Sequence, residues 1–384
     1  MNPRNDTATV AVFTALYPPA SRGGGPIRST EAMVAASPAG VVPIVLTGDR
    51  DLGAHEPMAV PRNTWTTRGG IEVRYTSPSL ADLFKGFREL KRRRPSLLYF
   101  NSFFEAKFTI LPLMLWRIGF WGRPKLLVAP RGEFGSGALN RRTAKKRLYM
   151  QVFRLLGIHR SVVWHSTAAH ESEDIRKTWG SNARIILREN HTLLPLEAQT
   201  PPASPGAIPD FVFLGRLVEH KGLNILLKAL AGFTDPLQLS IYGPEEDQAY
   251  VDECKALAAR LPDCIAVEFN GAVAPDDVRK VISSYDALLL PTAGENFGHV
   301  IAEALSVSCP VMVTATTPWT QTLQQGGGVV VADRNPANWA TALQNLATAS
   351  AAERLQLRQA AAGSYETWRS RAEAPHVWSL ALEQ

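Results

Sequence analysis

The sequence predicts an α/β protein of two doubly wound domains with a ligand cleft between them. Three observations lead there. Short apolar runs alternate with helix-length segments along nearly all of the 384 residues, which implies mostly parallel sheets covered on both faces. A break over residues 196–209, with four prolines among Ala, Ser and Thr, divides the alternation into two series. Charge divides at the same place. Residues 1–195 hold 29 Lys and Arg against 14 Asp and Glu, leaving +15, whereas residues 196–384 hold 12 against 21, leaving −9. The net charge of +6 describes neither half, so two bodies with different partners are expected.

In the first series, strands are expected over 9–15, 41–46, 71–75, 96–100, 125–129 and 161–165, with helices such as 78–94 and 140–156 between them. The run from Val10 to Tyr17 stops at Pro18-Pro19 and lacks a small-residue cleavage site, so it reads as a strand and not as a signal peptide. The segment Phe108 to Trp121 is the most membrane-like, but Pro112 and Arg117 interrupt it. It falls short of the roughly 20 apolar residues a span requires, which leaves a buried helix or a membrane-surface helix. In the second series, strands are expected over 210–214, 237–242, 266–269, 287–290 and 310–314, and helices over 223–232, 248–260, 275–284 and 298–306. Domain limits follow at 1–195 and 196–364, with a closing amphipathic segment over 365–384.

Composition bounds the function. With 45% hydrophobic and 20% charged residues, the chain is neither a disordered tail nor a collagen-like repeat. Cys254, Cys264 and Cys309 are odd in number and lack a Cys-x-x-Cys spacing, which argues against a disulfide framework and a zinc site and for a reducing cytoplasm.

Chemistry concentrates at strand ends. After the strand ending at Leu290, a loop carries Glu295, Gly298 opens a helix, and Glu303 lies past that helix's first turn. A glycine there allows close approach of a ligand, and the helix N–H groups favour an anion such as a diphosphate. The two carboxylates can grip different parts of one long ligand; the plainer alternative is two solvated glutamates beside a helix cap. The earlier stretch Leu214-Gly215-Arg216 to Lys221-Gly222 sets a planar fork and a compact point charge at a glycine-lined strand end. Two such cations can neutralise a diphosphate without a metal, and ordinary loop charge is the alternative.

Taken together, Glu295 and Glu303 seven residues apart, with the Gly-Arg-Leu and Lys-Gly turn upstream, resemble the nucleotide-sugar site of family-four retaining glycosyltransferases of the GT-B fold. The resemblance covers nearly the whole chain and is stronger in the second half. It implies two Rossmann-like domains, acceptor-binding first and donor-binding second, with the final helix crossing back onto the first. It implies that Arg216 and Lys221 bind the donor diphosphate beside Gly215 and that Glu303 binds the ribose hydroxyls. Glu295 with the backbone of Asn296, Phe297 and Gly298 would hold the transferred sugar, and the run ending at Val273 would seat the base.

The first half is less informative. Gly23-Gly24-Gly25 follows the first strand and suits close approach of phosphates, although it lacks the spacing of a dinucleotide fingerprint and also reads as a flexible turn. In similar enzymes Gly24 and Gly25 would face the donor. Pro130-Arg131-Gly132 resembles a Pro-His-Gly segment, with Arg131 where those enzymes carry histidine. Arginine cannot act as a general base, so Arg131 would orient a phosphate or sugar, and Glu133 becomes a candidate acceptor contact or a loop carboxylate paired with a cation. The clusters Lys91 to Arg94 and Arg141 to Arg147 suit a solvated face or an anionic membrane or lipid diphosphate; without aromatic interleaving they do not suit nucleic acid.

The expected activity is metal-independent transfer of a sugar from a nucleotide diphosphate sugar to a saccharide or lipid-linked hydroxyl. Retention of configuration, assembly of a bacterial surface polysaccharide, and a location in the cytoplasm at the inner membrane face complete the expectation. A nucleotide-sugar epimerase or hydrolase of the same fold, or a two-lobed binding protein without chemistry, also fits these residues.

Overall fold

The computed structural model describes residues 7–135, 143–201, 208–370 and 375–384. The chain forms two compact units, Met1–Leu193 with Pro375–Gln384, and Leu194–Ala374. In the first unit the strands are β1 (Ala8–Phe13), β2 (Val41–Gly48), β3 (Trp65–Arg68), β4 (Ile71–Thr76), β5 (Leu97–Phe100), β6 (Lys125–Val128), β7 (Val162–Ser166) and β8 (Arg184–Leu187). They form one sheet in the order β3-β4-β2-β1-β5-β6-β7-β8, parallel except for the β3–β4 pair. The second unit holds β9 (Asp210–Leu214), β10 (Leu237–Tyr242), β11 (Ile265–Phe269), β12 (Ala287–Leu290), β13 (Val311–Thr314) and β14 (Gly328–Val331). Its order is β11-β10-β9-β12-β13-β14, and all its pairs are parallel.

Both faces of the first sheet are buried because side chains alternate along each strand. In β1, Ala11 and Phe13 join one apolar cluster with Phe87, Phe100 and Trp164, while Val10 and Val12 join the opposite one with Tyr75 and Tyr99. A one-residue slip of β1 against Leu97–Phe100 would exchange these sets, so the two cores fix the register between them.

Three strands escape the sequence pattern, and all are sheet edges. Trp65–Arg68 is antiparallel and half exposed, Arg184–Leu187 buries only Ile186, and Gly328–Val331 follows a glycine run that reads as a turn. Edge strands pair on one side and need no continuous apolar run. The segment 108–121 is a turn at Ala106–Ile110 followed by the helix Leu111–Arg117, with Phe108, Leu113, Trp116 and Trp121 inside and Ile118 exposed just past the helix. Both indoles are satisfied, Trp116 donating to the Pro124 carbonyl and Trp121 to that of Pro112, each at 2.9 Å. Among the described residues no helix is long and apolar enough to cross a membrane.

The closing segment is also corrected. Tyr365 and Trp368 lie on the helix Ala351–Ser370, buried in the second unit, and only the short helix Val377–Glu383 belongs to the first. Val377 and Trp378 are fully buried there, with the Trp378 ring against Tyr99 at 6.1 Å. His376 fastens this return, donating from Nε2 to the Met33 carbonyl at 3.0 Å and accepting the Trp378 N–H at Nδ1 over 3.1 Å.

Two imidazoles of the first unit are held neutral chiefly by burial. His376 is pulled down to about 4, and His165, which donates to the Arg188 carbonyl and also feels Arg131, to about 3. The unfolded chain takes up these protons near 6.5, so stability present above that pH is lost as pH falls toward 4. Thermal melts between neutrality and pH 4 should show a falling Tm. A His376→Gln variant should be less stable at neutral pH and decline less steeply; an unchanged slope removes His376 from the cause.

Candidate functional site

In the second sheet the chain runs outward from β9 to β10 and β11 on one side, then returns to lay β12, β13 and β14 on the other. The switch point lies between β9 and β12, which pair directly through Phe211↔Ala287 and Val212↔Leu288. Open parallel sheets bind ligands outside the carboxyl ends of the strands at such a point. The loops leaving β9 and β12 are the two that the sequence singled out.

Glycines let these loops approach. Gly243, after β10, donates to the Gly271 carbonyl at 2.8 Å, and a Cβ on it would meet the Gly215 carbonyl oxygen at 1.8 Å. Gly215, Gly243 and Gly271 therefore gather the ends of β9, β10 and β11, and Val273 follows, partly buried against the core. After a short turn at Glu219–Lys221, Gly222 takes φ 79° and starts the helix Leu223–Leu230. A Cβ there would lie 2.1 Å from the Pro291 carbonyl oxygen. Further ties cross the same seam: the Ala293 N–H donates to the His220 carbonyl, and His220 Nε2 to the Gly294 carbonyl, both at 2.8 Å. Arg334 bridges the Pro291 and Glu219 carbonyls at 3.1 and 2.7 Å.

The seam sets Lys221 Nζ 2.5 Å from Glu295 Oε1, with both side chains largely buried. The second predicted cation differs. Arg216 is 51% exposed and pairs with Glu246 at 3.0 Å, an interaction of the weak, screened kind. Asn296 is exposed, and Phe297 is buried against Trp319 and Trp368, its carbonyl accepting the Trp319 indole N–H at 2.5 Å. Gly298, at φ 81°, starts the helix His299–Leu305, on which Glu303 is buried. Among the described residues no group of three or more His, Cys, Asp or Glu has an arrangement that could hold a metal ion.

In the first unit the switch point lies between β1 and β5. Gly24 takes φ 64° and starts the helix Gly25–Ala35. The Asp51 carboxylate, beyond the end of β2, steadies the approach by accepting the N–H groups of Ser21 at 2.9 Å and Arg22 at 3.1 Å. Arg131, at φ 53°, ties the strand ends together, donating to Asn101 Oδ1 at 2.7 Å, to the Tyr99 hydroxyl at 2.9 Å and to Asn190 Oδ1. Asn101 in turn donates to Thr14 Oγ1 at 3.4 Å.

Glu133, expected as an acceptor contact or a cation-paired loop carboxylate, is engaged by the loop after β5. Its half-buried carboxylate accepts from the Ser102 hydroxyl at 2.8 Å and from the N–H groups of Phe103 and Phe104 at 2.6 and 3.3 Å, and desolvation pushes its pKa up. It is a positioning residue for the loop after β5. Glu171 does the same for the Arg131 loop, accepting the Gly132 N–H at 2.7 Å. Of the second basic cluster, Arg141 and Arg142 lie outside the described residues. Asp51, Glu246 and Arg334 carry no motif of their own; for Asp51 and Arg334, a charged residue just beyond a strand end is the signal in the sequence.

Two Rossmann-like α/β sheets of parallel strands with these loops define a fold of the GT-B type. HepE from Anabaena, solved with UDP and glucose, superposes with a TM-score of 0.69 at 14% identity over 98% of each chain. WaaG, a glycosyltransferase involved in lipopolysaccharide biosynthesis, gives 0.60 at 16% identity over 97% of this chain and 98% of its own. More particularly, residues 199–363 match the family described as Glycosyl transferases group 1. The D-inositol 3-phosphate glycosyltransferase of Corynebacterium kroppenstedtii is 33% identical over 142 residues, 35% of this chain and 32% of that protein. The one from Actinosynnema mirum is 29% identical over 174 residues, 42% of this chain and 40% of that protein. The chain spans about a third of the length of the first curated relatives it matches.

The close seam makes a direct prediction. Gly222→Ala adds a methyl inside the Pro291 carbonyl at a left-handed position, which should cost more than ~1 kcal/mol by denaturant unfolding. An unchanged unfolding midpoint would mean that the two loops do not meet as described.

Proposed function

We propose that the protein transfers a sugar from a nucleoside diphosphate sugar to an acceptor hydroxyl, with retention of anomeric configuration. The observation that carries this reading is the Lys221–Glu295 pair, buried at the switch point where the β9 and β12 loops meet beside the helix bearing Glu303. A compact cation in a partly desolvated seam is suited to a charge that grows during reaction. As the bond from sugar to diphosphate breaks, Lys221 stabilises the leaving phosphate, and Arg216 exchanges Glu246 for the same group. Glu295, drawn to Lys221, holds a sugar hydroxyl, together with the backbone of Asn296, Phe297 and Gly298. Glu303 accepts from the ribose, while Gly215 and the Val273 run line the remainder of the nucleotide.

In this reading the leaving phosphate assists attack from its own face, because Glu295 is committed to Lys221 and is a poor covalent nucleophile there. The two cations do the work of a metal, so no metal is required. On the first unit, the turn at Gly24 and Gly25 is suited to a phosphate, and Arg131 to orienting a phosphate or the acceptor. A uridine diphosphate sugar is the first donor to test, since the HepE structures contain UDP or UDP-glucose. A saccharide or lipid-linked acceptor of a bacterial surface polysaccharide is the class to test beside it, as the WaaG description suggests. Three free cysteines fit work in the cytoplasm.

Lys221→Ala and Glu303→Ala should each lower transfer at least ~100-fold while leaving the circular dichroism spectrum unchanged. Near-normal turnover in either variant would remove that residue from the site. Donor consumed equally with and without acceptor would instead identify a hydrolase or an epimerase.

A further inference from the structure

Residues 106–170 contain twelve Lys and Arg and a single carboxylate, Glu133, which is half-buried and engaged by Ser102 and the Phe103 N–H. That imbalance coincides with apolar side chains left in solvent. On the helix Thr143–Leu155, Phe153 faces the aromatic core, while Leu148, Val152 and Leu155 are 62%, 38% and 86% exposed. Their spacing of four and three residues puts them on one face. Ile118, just past the helix Leu111–Arg117, is 78% exposed. The two helix ends adjoin, because Arg117 Nε donates to the Leu156 carbonyl at 2.8 Å.

Cations surround this apolar stripe. Lys145, Arg147 and Arg154 are exposed on the same helix, and Arg117 and Arg123 on the other segment. Lys91 brings the first basic cluster alongside, its Nζ 4.6 Å from the centre of the Phe120 ring. Of that cluster, Arg93 is already paired with Glu72. A soluble polyanion would neutralise the cations and leave Ile118 and Leu155 in water. An interface that is anionic outside and hydrocarbon beneath takes both sets at once.

We propose that this face of the first unit docks on an anionic lipid bilayer, with Ile118, Leu148, Val152 and Leu155 entering the headgroup boundary and the surrounding lysines and arginines meeting lipid phosphates. The proposal rests on the first unit alone and is independent of the donor chemistry.

Co-sedimentation of the full chain with vesicles tests it. Binding is expected to vesicles of equal parts phosphatidylglycerol and phosphatidylcholine, to weaken with salt, and to be absent on phosphatidylcholine alone. The pair Ile118→Ser and Leu155→Ser, and separately Lys145→Glu and Arg147→Glu, should each lower the partition coefficient about tenfold with Tm unchanged. Equal binding to phosphatidylcholine, or full binding by either double variant, overturns the proposal. So does ultracentrifugation showing that Ile118→Ser with Leu155→Ser splits a dimer, since a second copy would then cover the face. Calorimetric titration with UDP on the same preparations separates the two readings. Vesicle binding without UDP binding sinks the donor assignment and leaves this one standing.

Discussion

The contact between Lys221 and Glu295 joins side chains 74 residues apart, and the second unit is organised around making it possible. A parallel sheet delivers every strand's carboxyl end to one edge, but only neighbouring strands bring their loops within reach. The pairing of β9 with β12 satisfies that condition. The rest is backbone proximity: Gly222 against Pro291, Gly243 against Gly215, and Arg334 clamped on the carbonyls of both loops. With two partly desolvated charges at the seam, truncating either one would strand the other, so the pair is coupled to the folding of both loops.

The first unit uses the same edge differently. Its central cation, Arg131, donates to amide oxygens and a tyrosine hydroxyl contributed by neighbouring strand ends. Where Lys221 sits against a carboxylate at a loop seam, Arg131 spreads its fork over three neutral partners. An imidazole in that place has two nitrogens and could not span them. Arginine at this place thus comes with its own set of neighbours, Asn101, Asn190 and Tyr99.

Much of this was legible in the sequence because parallel strands, buried on both faces, write themselves as apolar runs; β9, β10 and β12 match their expected limits. Lys221, Glu295 and Gly298 were legible because they occupy the first residues after those runs. What was hidden depends on contacts across sequence distance. Glu133 looks like an exposed loop carboxylate until the N–H groups of Phe103 and Phe104, thirty residues away, turn it inward. Arg334 looks like loop charge until it reaches Pro291. The edge strands were hidden for the opposite reason, since half-exposed strands carry no distinctive pattern.

The return of the chain to its first unit has a consequence for biosynthesis. The ten residues Pro375–Gln384 are made after the whole of the second unit, yet Trp378 fills a fully buried place beside Tyr99, and His376 binds the Met33 carbonyl. The continuous segment Leu194–Ala374 can acquire its core as soon as it has left the ribosome. The first unit, begun earlier, waits with a tryptophan-sized gap in one of its two cores until translation has passed the second. The unit synthesised first is the one completed last.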